Sequence, residues 1–153
     1  MNLFGVMNLS GSALGAERIR AEVVAANMAN TDSTRTEQGG PYQRQHVIFA
    51  ASSMSGMDTS SFDGVLAERM GALSGQEGVE VAGVVADKGA PLRRYEPGHP
   101  DADADGYVNF PDINPMTEMV DLMGATRSYQ MNATAVTAEK SMLQTSIDLI
   151  KSA

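Results

Sequence analysis

MTEMVDLMGATRSYQMNATAVTAEKSMLQTSIDLIK, residues 116–151, contains no proline and a single glycine, Gly124. Within it Leu122, Thr126, Tyr129, Ala133, Val136, Lys140, Leu143, Ile147 and Ile150 follow one another in alternating steps of four and three, and most are apolar. A seven-residue repeat sustained over this length predicts one long helix whose seam meets another helix. At about 1.5 Å of rise per residue the helix is roughly 50 Å long, more than a compact domain of this mass surrounds. The seam has to find cover along its length.

Only the opposite end of the chain carries a matching rhythm. Ser12, Ala16, Ile19, Val23, Ala26 and Asn30 also step by four and three. Ser10 or Ser12 is the expected cap of this first helix, and Asn30-Thr31-Asp32-Ser33-Thr34 ends it in loop-favouring residues. Its seam is built of small side chains, so a partner helix can approach closely. Between the two helices the pattern changes. Gly39-Gly40-Pro41 makes a turn, 42–50 reads as extended, and Val79, Val81 and Val84-Val85 read as a strand. Leu92-Arg93-Arg94-Tyr95 is a second extended stretch, placed to pair with 79–85 as a hairpin. Pro97, Pro100, Pro111 and Pro115 then exclude a helix. Residues 51–78, rich in Ser, Gly and Met, read as a flexible or partner-dependent insert, with one or two helical turns over Leu66–Leu73. The expected fold is mainly α, with N- and C-terminal helices paired as a coiled coil and a small extended, β-rich middle. The expected parts are an N-terminal helix and loop over 1–36, the middle over 37–115, and a C-terminal helix over 116–153.

The chain of 153 residues has a formal charge of −8, and the charge is uneven. Residues 1–50 balance four acids with four bases, 51–112 hold eleven acids against four bases, and 113–153 hold four against three. Neutral ends pack on each other or on copies of themselves, while an acidic middle faces solvent or a basic partner. The net charge argues against nucleic acid, which is held by clustered Lys and Arg. With no Cys there are no disulfides, thiolate zinc sites or cysteine nucleophiles. The opening MNLFGVMNLSGSALGA lacks the basic start of a signal peptide, and Asn2, Gly5, Asn8 and Ser10 break its apolar run, so it is expected to stay in the mature protein. No apolar stretch is long enough to cross a bilayer.

Few residues suggest chemistry. Asp101, Asp103 and Asp105, with Gly106 and Asp112, match positions 1, 3, 5, 6 and 12 of a calcium loop. A secreted calcium-binding module is therefore an alternative reading. The surrounding prolines forbid the helices such a loop needs, and a solvated acidic turn is the simpler account. His46 and His99 stand apart from any nucleophile motif, and no phosphate or dinucleotide loop is present, so no enzyme, cofactor or small-molecule substrate is expected. Met116, Met119, Met123, Met131 and Met142 fit either core filling or an adaptable interface. Asn27 and Asn30 fit a frayed helix end, or polar residues that set the register of a seam. A soluble cytoplasmic helical adaptor is a further rival.

Ala25-Ala26-Asn27-Met28-Ala29-Asn30-Thr31 resembles the N-terminal signature of the flagellar rod and hook axial family, Asn-Asn-Leu-Ala-Asn followed by Thr. Ala26 and Met28 are its departures. Gly39-Gly40-Pro41-Tyr42-Gln43-Arg44, the run from Tyr95 to Val108, Met119-Val120-Asp121-Leu122 and Arg127-Ser128-Tyr129-Gln130-Met131-Asn132 look like the proximal rod members of that family. Residues 51–78 are not matched. The resemblance implies a structural subunit that leaves the cytoplasm through the flagellar type III export apparatus without a cleaved signal. It implies polymerisation into the periplasmic rod of the basal body, around the export channel, transmitting torque. The implied partners are copies of itself, other rod proteins, and proteins at the membrane ring and export gate junction. On this reading Ile19, Val23, Asn27, Asn30, Leu122, Tyr129, Val136, Leu143, Ile147 and Ile150 form the subunit interface.

Overall fold

A computed structural model describes residues 3–52 and 78–152. The element order is α1 (Leu3–Ala29), β1 (Gln45–Ser52), β2 (Gly78–Ala86), β3 (Leu92–Tyr95), β4 (Tyr107–Phe110) and α2 (Pro115–Ser152). The chain is mainly helical, with two small antiparallel sheets between the terminal helices. No helix among the described residues is long and apolar enough to cross a membrane. The proposed insert lies almost wholly outside the described residues, as do the turns over Leu66–Leu73. Residues 51 and 52 finish β1, and Gly78 begins β2.

The first helix begins well upstream of the expected caps. Ser10 is buried within it, and the Ser12 hydroxyl donates back to the Leu9 carbonyl at 2.8 Å. The serines therefore serve the helix interior, and nothing from Leu3 to Leu9 is strong enough to break it. Its end follows the sequence. The Asn30 amide nitrogens reach the Ala26 carbonyl, from the backbone at 3.1 Å and from the side chain at 2.8 Å, while Thr31 Oγ1 donates to the Met28 carbonyl. These bonds satisfy carbonyls that a helix end leaves orphaned. The second helix starts as the rules for helix starts demand. Asn114 caps it by accepting from the Met116 amide at 3.0 Å, and Pro115 takes the first position, where no N–H is needed.

Strand pairing differs from expectation. β2 pairs with β1, and β3 pairs with β4 in the register Leu92↔Phe110, Arg93↔Asn109, Arg94↔Val108 and Tyr95↔Tyr107. The expected hairpin between 79–85 and 92–95 is absent. A nine-residue β2 finds a matching eight-residue partner in β1, whereas β3 has only four residues. β4 lies in the proline-rich stretch and was not anticipated as a strand. Its Val108 and Phe110 are buried while Tyr107 and Asn109 are exposed, the alternation of a strand with one covered face.

The chain divides into two units. One comprises 19–48 and 83–126, and its core is Val24, Val108, Phe110, Ile113 and Ala125. The other comprises 1–18, 49–82 and 127–153, where Ser10, Ala16 and Glu139 are buried. In the second unit the Ser12 hydroxyl also accepts from the Val79 amide at 3.1 Å, joining β2 to α1. A Cβ on Gly78 would sit 3.0 Å from that hydroxyl, so glycine permits the approach.

Candidate functional site

In the unit formed by 19–48 and 83–126, α1 and α2 meet through a buried polar clamp. Asn27 is only 1% exposed, and its amide uses every bond it has. Nδ2 donates to the Gln45 carbonyl at 2.7 Å and to Glu118 Oε2 at 3.0 Å. Oδ1 accepts from the Gln45 amide at 2.9 Å and the Tyr42 hydroxyl at 3.1 Å. Glu118 is equally buried, and its Oε1 accepts from Arg44 Nε at 2.7 Å. Arg44 also lies 3.5 Å from Asp121, which pairs with Arg20 at 3.6 Å. A buried carboxylate survives when its oxygens have donors and a cation beside it, and Glu118 has both. Burial, and then the charge of Glu118, raise the Tyr42 hydroxyl above its ordinary pKa.

The loop that carries Tyr42 and Arg44 is shaped by glycine. Gly39 and Gly40 hold φ of 85° and 78°, in the left-handed region, and Tyr42 donates its amide to the Ser33 carbonyl at 3.0 Å. This reversal returns the chain to the end of α1, so that residues 42–45 line up with Asn27. The clamp joins residues up to 91 positions apart, and spacing gave no sign of it. Asn27 and Arg44 stand within sequence signatures, whereas nothing in the sequence reading singles out Glu118, which the structure places in the first turn of α2. The frayed-end reading of Asn27 is corrected, because a frayed amide would be solvated rather than buried and fully bonded.

The acidic turn between β3 and β4 is organised around different partners. Asp101 accepts from Thr34 Oγ1 at 2.8 Å and lies 3.8 Å from Arg35, which ties the turn to the loop after α1. Asp103 Oδ1 accepts from the amides of Tyr107 at 2.8 Å and Asp105 at 3.0 Å, and Arg93 bonds its Oδ2 at 2.9 Å. The Tyr107 amide first, with the Asp105 amide and Arg93, holds the Asp103 carboxyl below its ordinary pKa. His99 Nδ1 accepts from the Asp101 amide at 3.1 Å. Asp101 and Asp103 are thus engaged in separate structural bonds. Among the described residues no group of three or more His, Cys, Asp or Glu is arranged for a metal.

The helix faces divide into covered and open parts. In α1, Val24 and Asn27 are buried, one residue on from the 19–23–26 register, which leaves Val23 half-buried and Ile19 36% exposed. Asn30 is half-buried. In α2, Glu118 and Ala125 are buried, and Leu122, Val136 and Leu143 are half-buried. Tyr129, Ile147 and Ile150 are exposed, and every residue described beyond Leu143 is exposed. Met116, Met119, Met123, Met131 and Met142 are all exposed, so core filling does not account for them. Ten large apolar side chains of α2 face outward in the single chain, Ile150 at 78% exposure.

Comparison with known proteins supplies the context. Residues 104–149 match the family described as the flagellar basal body rod FlgEFG protein C-terminal region. The chain is similar to the flagellar basal-body rod protein FlgC of Bacillus subtilis, 38% identical over 99% of this chain and 100% of that protein. It is 36% identical to the protein of that name in Borreliella burgdorferi, over 99% of each chain. It is also 36% identical to its Salmonella typhimurium counterpart, over 97% of this chain and 98% of that one. With identities of 36–38% over nearly the full length of each chain, the chain belongs to the FlgC family of flagellar basal-body rod proteins.

Proposed function

We propose that this protein is a structural, non-enzymatic subunit of the proximal rod in the bacterial flagellar basal body, polymerising through its terminal helices. The observation that carries the reading is the uncovered apolar length of α2, from Tyr129 through Met142, Ile147, Leu149 and Ile150, in a member of a rod-protein family. Exposed apolar surface of this extent calls for a partner. Subunit contacts run along Ile19 and Val23 of α1 and along Tyr129, Val136, Leu143, Ile147 and Ile150 of α2. Asn27, Asn30 and Leu122 lie one layer in and hold the register of that surface. The terminal helices enclose the export channel, residues 37–52 and 78–115 pack outside, and head-to-tail contacts that do not close build a helical assembly that transmits torque. Export proceeds without a cleaved signal, and the periplasmic rod meets other rod proteins and the ring and export gate junction at its base.

Ile147→Asp tests this directly. Ile147 is already 46% exposed, so the free subunit should keep its thermal stability. Rod assembly and swimming should be lost, because a charge enters the apolar contact. A strain carrying Ile147→Asp that swims normally would refute the interface.

A further inference from the structure

Glu118 and Glu139 lie three heptads apart on α2, and both are buried, at 1% and 5% exposure. Their surroundings differ. Glu118 has Asn27 and Arg44 as donors. Glu139 Oε2 is buried with no hydrogen-bond partner among the described residues, and no described cation pairs with the carboxylate. A buried carboxylate without donors is costly, and it is tolerated where a partner arrives later. The stretch that follows, beyond Leu143, is open on every side. On the same helix Arg127, Lys140 and Lys151 have no ion-pair partner among the described residues.

We infer that Glu139 is an intersubunit socket, filled in the assembled state by a Lys or Arg of α2 from a second copy. The inference rests on the self-assembly proposed above and names one of its polar contacts. It also assigns a cost to the free chain. With its carboxylate unpaired, the C-terminal half of α2 is less stable alone than its apolar content implies. Pairing then makes assembly the better state. Apolar contacts supply most of the attraction, while a buried ion pair fixes which face and which register are accepted.

The test separates free-chain stability from assembly. Glu139→Leu should raise the melting temperature of the free subunit by about 5 °C, since a buried unpaired charge is replaced by an apolar side chain. The same change should raise the critical concentration for assembly roughly thirtyfold, because the incoming cation loses its partner. Glu139→Gln should weaken assembly in the same direction. Glu139→Arg should block assembly, and one of Arg127→Glu, Lys140→Glu or Lys151→Glu placed in the same chain should restore it. If wild type assembles and Glu139→Leu and Glu139→Gln assemble equally well, the socket is overturned while the rod-subunit reading stands. Failure of all three reversals to rescue Glu139→Arg overturns it as well. A wild-type chain that stays monomeric by sedimentation at high concentration overturns both.

Discussion

Asn27→Ala removes an amide that four groups share, and the consequences follow from what it leaves behind. The Gln45 amide and carbonyl, the Tyr42 hydroxyl and one Glu118 oxygen lose a partner in a part-buried site. The expected loss is on the order of 2–4 kcal/mol, seen as a lower urea midpoint with an unchanged slope. An unchanged midpoint would mean that the clamp does not hold the fold. Asp103 offers a pH-dependent test. Its folded pKa lies below the ordinary 3.8, so the stabilisation is complete above that value and disappears as pH falls through the lower folded value. The Asp105 and Tyr107 amide signals should titrate with a midpoint below 3.8, and Asp103→Asn should abolish that titration. The identity of Asn27 as a signature residue was legible in the sequence. Its partners were not, because hydrogen bonds across 18 and 91 positions follow from the path of the chain and leave no local pattern.

At the scale of elements, local rules worked where local forces decide. The start of α2 at an Asn-Pro pair and the end of α1 at Asn30-Thr31 follow from capping chemistry, and both were placed within a residue or two. Strand pairing does not follow from local rules, since either partner satisfies the alternation of β2 and only the surrounding chain selects β1. The β3–β4 turn depends on Gly106, at φ 81° with Tyr95 Cε2 only 2.9 Å from where a Cβ would stand. Gly106→Ala should therefore cost about 1–3 kcal/mol and speed amide exchange in β3 and β4 ahead of the helices. Exchange that stays at the wild-type rate would show that the ribbon tolerates the strain.

At the scale of the molecule, the open faces of α2 make stability depend on company. If copies cover one another, the melting temperature should rise with protein concentration, because association favours the folded state by mass action. A melting temperature independent of concentration, up to the solubility limit, would speak against self-assembly. Ile147→Asp should remove the dependence without lowering the value seen in dilute solution.

Local pattern was enough to make both ends helical with seams, to make 42–50, 79–85 and 92–95 extended, and to make the middle acidic, because periodicity, proline and charge act over a few residues. Tertiary structure alone decided which residues of those seams turn inward. It kept Ala16 on the covered face of α1 but moved that face by one position at Val24 and Asn27, gave Glu118 its donors, and left Glu139 Oε2 with none among the described residues. A heptad rhythm specifies a stripe on the helix surface rather than single positions. The choice within the stripe depends on which distant groups can meet a buried polar atom.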